Sequence, residues 1–294
     1  MSTSPSAPDR IAADTRIGTV RLTVPDLARS RAFYEESLGL RGRPVGDGDL
    51  ALGVGDGRAL VELREDRSGV QRDPRATGLF HLAVLLPSRL DLAHALRRLA
   101  GSGWPLEGAS DHLVSEALYL SDPDGNGIEL YRDRPREEWT QGEIGPEMAT
   151  LALDLRGLAD ELQTANGPQP HAPAQTMIGH VHLQVSELAE IERFYSELLG
   201  FDVTVRDYPG ALFVSAGGYH HHLGLNTWHS GGSPAPATGS LGLRSYEILL
   251  PGEDELQRVT ARLTDAGLAS KPDPEHGGRL VRDPSGNAVL LRAA

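Results

Sequence analysis

The sequence predicts an α+β fold of four βαβββ modules, and two features of the chain lead to this prediction. First, Val24–Leu40 and Val185–Phe201 share matching residues at a constant spacing of 161 positions, as from Val24 to Val185. Second, each half shows the same order twice: an apolar strand, a helix and three short strands. Because self-similarity at a fixed spacing is typical of repeated structural units, two halves with two runs each indicate four modules.

The boundaries of each module follow from strand patterns and from residues that begin or end helices. The first strands are predicted to begin near Ile17, Gly78, Met177 and Leu241. The helices are predicted at residues 26–38, 88–100, 187–199 and 254–266. Side chains suited to N-caps stand before three of them, namely Asp26, Ser88 and Ser186. Glycines suited to helix ends follow all four, namely Gly39, Gly101, Gly200 and Gly267.

The repeat predicts two units joined by a linker. Residues 1–137 contain modules one and two, and residues 177–294 contain modules three and four. Residues 138–176 match neither half; residues 151–162 are predicted to form a short helix, and the Pro-rich stretch after them an extended linker. A linker of this length allows the modules of the two halves to pair in more than one way.

Composition excludes several classes of function. Lys and Arg number 28 against 41 Asp and Glu, which gives a net charge of −13. An acidic surface without a basic cluster argues against nucleic acid or an anionic membrane as partner. With no cysteine, any metal must be held by His and carboxylate groups. The lack of cysteine and of a signal-peptide pattern at the start of the sequence predicts a cytoplasmic protein.

The stretch Asp111–Glu129 combines turn and strand signals with chemically reactive side chains. It contains His112, Tyr119, the turn residues Asp122-Pro123-Asp124-Gly125, and Glu129. In this order the residues resemble the signature of extradiol ring-cleavage dioxygenases of the vicinal-oxygen-chelate superfamily, with one departure at Ser110. The resemblance implies two cupped mixed sheets, each built from two modules, as in the glyoxalase and extradiol dioxygenase fold.

Aligned modules identify candidate metal ligands. The same position of the first strand is occupied in modules one to four by Thr19, His81, His180 and Ser245. The same position of the last strand is occupied in modules two and four by Glu129 and Leu290. The resemblance implies that these positions face the cups and that His81, Glu129 and His180 hold the metal. All three fall in one cup only if module two pairs with three and module one with four, and this pairing is therefore predicted.

The resemblance also implies three further active-site residues. His221, within the run His220–His222, corresponds to the acid–base histidine, although the run leaves His220 and His222 as alternatives. Histidine titrates near neutral pH and so suits the exchange of a proton with a catechol. Tyr119 would contact a substrate oxygen, and His112 would help to orient the site. Glu62, the last-strand residue of module one, is interpreted as structural.

The leading hypothesis is an Fe(II)-dependent extradiol dioxygenase, with Mn(II) as the alternative metal. Its substrates would be O2 and a small aromatic diol, catechol or a substituted catechol, and its product a 2-hydroxymuconic semialdehyde. A second hypothesis is a glyoxalase- or epimerase-like lyase or isomerase, in which adjacent modules pair and Glu62 joins His81 and Glu129. A third is a protein that binds a small aromatic compound without catalysis. The oligomeric state, including a homo-oligomer, is left open.

Overall fold

The computed structural model describes residues 10–46, 48–55, 57–165 and 167–294, and within them the chain forms seventeen strands and five α-helices. Module one contains β1 (Arg16–Val24), α1 (Leu27–Glu36), β2 (Arg41–Val45), β3 (Asp49–Gly53) and β4 (Ala59–Glu65). Module two contains β5 (Gly78–Leu85), α2 (Arg89–Ser102), β6 (Gly108–Asp111), β7 (Ser115–Ser121) and β8 (Gly127–Asp133). Both follow the predicted order of elements.

The second half repeats this order after a connecting segment. The segment contains β9 (Leu151–Ala152) and α3 (Leu155–Asp160). Module three contains β10 (Met177–Gln184), α4 (Leu188–Glu192), β11 (Asp202–Val205), β12 (Ala211–Ser215) and β13 (Leu223–Asn226). Module four contains β14 (Gly242–Leu250), α5 (Glu253–Asp265), β15 (Lys271–Pro272), β16 (Arg279–Arg282) and β17 (Ala288–Ala293). Helix α4 continues into a π-helical turn at Arg193–Leu198.

The strands form two curled mixed sheets, and each sheet takes one module from each half of the chain. The eight-stranded sheet has the order β15-β16-β17-β14-β1-β4-β3-β2, which joins module four to module one. The nine-stranded sheet has the order β11-β12-β13-β10-β5-β8-β7-β6-β9, which joins module three to module two. The predicted fold class and module pairing are therefore confirmed, and the alternative of adjacent pairing is wrong.

The joins between modules and within modules differ in strand direction. At each join the two first strands are antiparallel, β1 beside β14 and β10 beside β5. Within each module the last strand runs parallel to the first, as β8 does to β5. The central strands β10, β5 and β8 of the nine-stranded sheet are therefore neighbours, and side chains from both halves of the chain can meet on one face.

Of the three predicted N-caps, two hold and one needs correction. Asp26 and Ser88 accept hydrogen bonds from the first turns of α1 and α2, as predicted for N-caps. Ser186 does not cap α4, because its backbone N–H donates to Ser285 Oγ at 3.0 Å and Glu187 takes the capping position. Helix α5 follows Gly252 and has no side-chain cap.

One predicted helix end also moves. Helix α2 runs through Gly101 to Ser102 and ends at Gly103, whose φ is 68°. A glycine in the left-handed region ends a helix without the strain that a Cβ would cause. Gly103 therefore takes the role that the sequence pattern assigned to Gly101.

The two Asp-Pro turns tie the sheets together. Asp122 and Asp283 are buried, and each accepts a hydrogen bond from a tyrosine on the first helix of its half: from Tyr34 at 3.1 Å and from Tyr195 at 3.0 Å. In each bond the tyrosine belongs to a module of one sheet and the aspartate to a module of the other sheet. The two bonds therefore link modules that do not share a sheet. Both tyrosines are fully buried.

The connecting segment differs from the prediction in its helix. Residues 151–152 are extended and pair with β6 at the edge of the nine-stranded sheet, so the helix begins only at Leu155. The division into units 1–137 and 177–294 with a linker at 138–176 stays a prediction. Among the helices described, none combines the length and the apolar character required to cross a membrane.

Candidate metal centre and active-site cavity

Three side chains converge on the concave face of the nine-stranded sheet. Glu129 Oε2 lies 3.0 Å from His81 Nε2 and 3.1 Å from His180 Nε2. All three residues are buried, and their potential ligand atoms lie within 4.8 Å of one another. The structure thus brings together the three residues that the sequence nominated as metal ligands. We call this face, defined by His81, Glu129 and His180, the histidine cup.

Strand register explains why the three side chains meet. On β5, Ala83 is paired with His180 of β10 on one side and with Glu129 of β8 on the other. His81 is two residues from Ala83 and so projects from the same face. Because the Ala83 side chain is only a methyl group, the space between its two larger neighbours stays open. Ala83 was not singled out from the sequence, where nothing distinguishes it from other alanines in apolar strands.

The charge state of the cluster suits metal binding. Burial raises the pKa of Glu129, but the charges and hydrogen bonds of His180 and His81 outweigh it and hold that pKa well below its usual value. Burial lowers the pKa of His180 to about 4. At neutral pH the cluster therefore offers a carboxylate and an uncharged His180 imidazole, and metal ligands must be deprotonated in this way.

Hydrogen bonding within the cluster is incomplete. Although His81 Nε2 is close to Glu129, it lacks hydrogen-bond geometry to any described atom, and His180 Nδ1 also has no partner. A buried polar atom without a partner costs about 1–3 kcal/mol, so such atoms are uncommon without a reason. Two imidazoles and one carboxylate that converge in this way fit a divalent cation, and this donor set is typical of non-haem Fe(II).

A cavity of about 320 Å³ opens beside the cluster. Its walls include His81, Glu129, Tyr119, His112 and His221. The rest of the wall is largely apolar and includes Phe80, Val114, Met148, Tyr208, Phe213 and Trp228. No lysine or arginine is among the described residues that line this cavity. The cavity therefore suits an uncharged aromatic molecule better than an anionic one.

Tyr119 and His112 form a hydrogen-bonded pair at the cavity wall. His112 Nδ1 donates to the Ala149 carbonyl at 2.7 Å, which leaves Nε2 to accept from the Tyr119 hydroxyl at 2.7 Å. Burial and then the charge of Glu129 raise the pKa of Tyr119 well above its usual value. Tyr119 is thus a neutral phenol that can donate one hydrogen bond, beside the cluster as predicted.

The three consecutive histidines point in different directions. His222 Nδ1 accepts the Ala216 backbone N–H at 3.1 Å and so stabilises its own turn. His220 Nε2 contacts Asp133 Oδ1 at 2.9 Å. Of the three, His221 alone lines the cavity, with its ring centroid 4.1 Å from that of His180. Burial lowers the pKa of His221 well below its usual value, so it is uncharged at neutral pH.

Sequence reasoning missed part of the cavity wall. Met148, Ala149 and Thr150 come from the connecting segment, which the sequence indicated only as a linker. His182 is buried, lines the cavity and has no hydrogen-bond partner at Nε2. The two-residue alternation of β10 places His182 on the face of His180, so this signal could have identified it. The linker residues carry no comparable signal.

Comparison with known proteins places the chain in a family. The model of the glyoxalase/bleomycin resistance protein/dioxygenase superfamily matches residues 16–130 and 177–291. The chain belongs to this superfamily. It is 44% identical to the catechol-2,3-dioxygenase of Bacillus subtilis over 281 residues, which cover 94% of this chain and 96% of that protein. The resemblance stated from the Asp111–Glu129 motif is therefore confirmed.

Two further relatives are more distant. Biphenyl-2,3-diol 1,2-dioxygenase 3 of Rhodococcus globerulus is 35% identical over 94 residues, covering 28% of this chain and 50% of that protein. Glyoxalase I of Zea mays superposes with a TM-score of 0.58 at 18% identity, covering 95% of this chain and 92% of the maize chain. The latter likeness shows a shared fold.

The eight-stranded sheet, the superfamily's second cup in this chain, is filled by an ion-pair network. Arg21 is buried between two glutamates, with Nη2 2.6 Å from Glu247 Oε1 and Nε 3.5 Å from Glu62 Oε2. Burial raises the pKa of Glu247, but the hydrogen bond and charge of Arg21 outweigh it and hold that pKa below its usual value. We call this face, defined by Arg21, Glu62 and Glu247, the arginine cup.

The remaining candidate ligand from the sequence, Glu62, lies in the arginine cup. Glu62 lies on β4, in the other sheet from His81 and Glu129, so the alternative ligand set that joined these three is wrong. Its carboxylate instead contacts Arg244 at 3.3 Å and His276 at 3.2 Å. Glu62, Glu275 and His276 form a second group of potential ligand atoms. The guanidinium groups that contact Glu62 and Glu275 already balance their charge.

Proposed function

We propose that the protein is an Fe(II)-dependent extradiol dioxygenase that opens the ring of catechol or a small uncharged substituted catechol. The reaction adds both atoms of O2 to the diol and gives a 2-hydroxymuconic semialdehyde. One observation carries the proposal: His81 and Glu129 of the His81–Glu129–His180 cluster, the neutral Tyr119 and the neutral His221 all line one cavity with aromatic walls. The name of the Bacillus subtilis relative supports the same reaction.

Iron(II), held by His81, Glu129 and His180, would supply the one-electron chemistry that a diol and O2 need in order to react. Mn(II) accepts the same donor set. The protein's own contribution is geometry and proton transfer. Phe80, Phe213 and Trp228 exclude water from the ring-binding space and orient the aromatic ring between them.

His221 and Tyr119 handle the protons of the substrate. His221 is uncharged and lines the cavity, so its imidazole accepts a proton from a catechol hydroxyl and returns it later in the reaction. Tyr119 remains a phenol at neutral pH, and its hydroxyl oxygen, whose proton is donated to His112 Nε2, accepts a hydrogen bond from a catechol hydroxyl. His112, fixed by the Ala149 carbonyl, orients the Tyr119 hydroxyl.

The proposal is tested with protein reconstituted anaerobically with Fe(II) and then given catechol and air. The expected result is a yellow product, followed by absorbance, with uptake of one O2 per catechol measured at an oxygen electrode. The matched variant His180→Ala should bind little iron and form no product. Failure of the iron-loaded protein to consume O2 with catechol, methylcatechols and phenylcatechols would remove the proposal.

Substrate charge gives a second arm of this test. Because the lining lacks Lys and Arg and includes the Glu129 carboxylate, catechols that carry a carboxylate should react much more slowly than alkyl-substituted ones. Equal kcat/KM for the two classes would contradict the assignment of an uncharged substrate. That the protein acts in the cytoplasm stays a prediction, and its oligomeric state stays open.

A further inference from the structure

Asp133 and His220 lie behind the cavity wall, and the catalytic roles assigned above do not involve them. Asp133 is the last residue of β8, four residues after Glu129, and His220 precedes His221. His220 Nε2 lies 2.9 Å from Asp133 Oδ1, and His220 Nδ1 lies 2.8 Å from His221 Nδ1. The three side chains thus form a continuous hydrogen-bonded chain that ends at the cavity.

The chain is held firmly at its inner end. The His220 side chain is fully buried, and its backbone carbonyl accepts from Thr204 Oγ1 at 2.7 Å. Asp133 Oδ1 also accepts the Tyr219 hydroxyl at 3.2 Å. Because both the ring and its carboxylate partner are fixed, His220 cannot turn over without losing buried hydrogen bonds.

Donor and acceptor rules determine the direction of the bond to Asp133, and, for a neutral His220, that of the bond to His221. A carboxylate only accepts, so His220 Nε2–H must donate to Asp133. An uncharged His220 then presents Nδ1 as an acceptor, and His221 must donate to it from Nδ1–H. The other nitrogen of His221, Nε2, is left without a proton. That nitrogen is the one able to accept a proton from a molecule in the cavity.

We infer that Asp133 and His220 are positioning residues that fix the ring orientation and tautomer of His221. We call this chain of Asp133, His220 and His221 the Asp133 relay. The inference rests on the proposed function for the catalytic role of His221, but the geometry of the relay stands on the hydrogen bonds alone. Partners of this kind typically change activity by about 10- to 100-fold when they are removed.

The first test reads the tautomer directly and needs no activity. In metal-free protein, long-range ¹H–¹⁵N NMR spectra of the imidazole rings should show His221 protonated at Nδ1. In His220→Phe, which removes the acceptor, His221 should lose this preference. A wild-type His221 protonated at Nε2 would overturn the relay, whatever the enzyme does.

The second test compares two pairs of variants in iron-loaded protein. His220→Phe and Asp133→Leu should lower kcat by about 10- to 100-fold with KM and iron content unchanged. His220→Asn returns an acceptor to His221, and Asp133→Asn returns one to His220, so each should recover most of the lost kcat. His229→Asn, at an exposed histidine outside the relay, is the control and should leave kcat unchanged.

These outcomes separate the relay from the proposed function. Wild-type kcat in both His220→Phe and Asp133→Leu would overturn the relay, as would an Asn variant that is no better than its apolar counterpart. If His220→Phe does not fold, the Asp133 pair gives the same comparison. If the NMR result is as expected but no ring cleavage occurs, the proposed function fails and the relay geometry stands.

Discussion

The histidine cup and the arginine cup are built from the same modules but hold opposite kinds of centre. In the histidine cup, a buried carboxylate faces two imidazoles that lack part of their hydrogen bonding, beside an open cavity. In the arginine cup, the Arg21 guanidinium lies between two carboxylates and is itself the central cation. A protein cation that is covalently part of the chain leaves no coordination position for a substrate.

The difference between the two cups shows how one fold can contain one reactive centre and one structural centre. At matched positions, His180 corresponds to Thr19, His81 to Ser245 and Glu129 to Leu290. These exchanges remove the ligands, and Arg21 with Glu247 then fills the space with charge that the protein neutralises itself. Both cups contain buried nitrogen atoms without a hydrogen-bond partner among the described residues, His81 Nε2 and His180 Nδ1 in one and Arg21 Nε and Nη1 in the other. They differ in that only the arginine cup has a protein cation paired with carboxylates at its centre.

The largest expected effect comes from Glu129→Leu, which gives the histidine cup the residue type that the arginine cup has at the equivalent position, Leu290. Glu129→Leu removes the only carboxylate of the cluster, so two imidazoles remain and iron should be lost. Activity should fall to background, as measured by iron content and O2 uptake. Ser245→Ala in the arginine cup is the control and should keep both. An active, iron-loaded Glu129→Leu protein would show that the Glu129 carboxylate is not what distinguishes the histidine cup from the arginine cup.

The next largest effect concerns His221. His221→Ala should retain iron, because His221 is outside the cluster, but should lower kcat by about 10²- to 10⁴-fold through loss of acid–base catalysis. Iron analysis and steady-state kinetics check this expectation. Loss of iron in this variant would show that His221 belongs to the cluster instead.

Arg21→Met should affect stability and leave the chemistry intact. Removal of one partner of a buried ion pair leaves an uncompensated charge and costs about 3–5 kcal/mol. Urea unfolding should show this loss, and kcat of the iron-loaded protein at low temperature should not change. The double variant Arg21→Met with Glu247→Gln should recover part of the stability. A stable Arg21→Met protein would mean that the arginine cup does not depend on its central cation.

A pH dependence of stability originates in the histidine cup. Burial lowers the pKa of His180 to about 4 and that of His222, next to the cup, to about 3. Since unfolded histidine titrates near pH 6.5, the unfolded chain binds more protons below that pH, and folded metal-free protein loses stability as pH falls from about 6.5 toward 4.

Each such histidine adds a slope of about 1.4 kcal/mol per pH unit in that window. His222→Asn should remove one such slope, because it removes a group that takes up a proton on unfolding. The measurement is the free energy of unfolding of metal-free protein at several pH values. An unchanged slope in His222→Asn would show that His222 is protonated in the folded protein.

Much of the fold was readable from local patterns. The spacing of 161 residues, the capping residues Asp26 and Ser88 and the strand alternation identified four modules. Module alignment placed His81, His180 and Glu129 at equivalent positions. These features are local because hydrophobic alternation, caps and turns act between residues that are close in sequence.

Other features were decided by contacts between distant parts of the chain. The direction of the His220 ring depends on Asp133, 87 residues away along the chain. The connecting segment lines the cavity because Ala149 bonds with His112. Neither contact has a local signal, since a polar side chain or a carbonyl can accept from many partners.

The sequence by itself determined the modules and the residue types that occupy each equivalent position. The sequence predicted which modules pair only through the ligand set that the resemblance implied. The tertiary structure decided that pairing against the adjacent alternative, and therefore that His180 meets Glu129 across Ala83 while Arg21 closes the other cup. The physical reason is that the backbone hydrogen bonds of a strand edge are the same whichever strand supplies them. The choice of partner depends on how the whole faces pack, and that is a property of the folded chain.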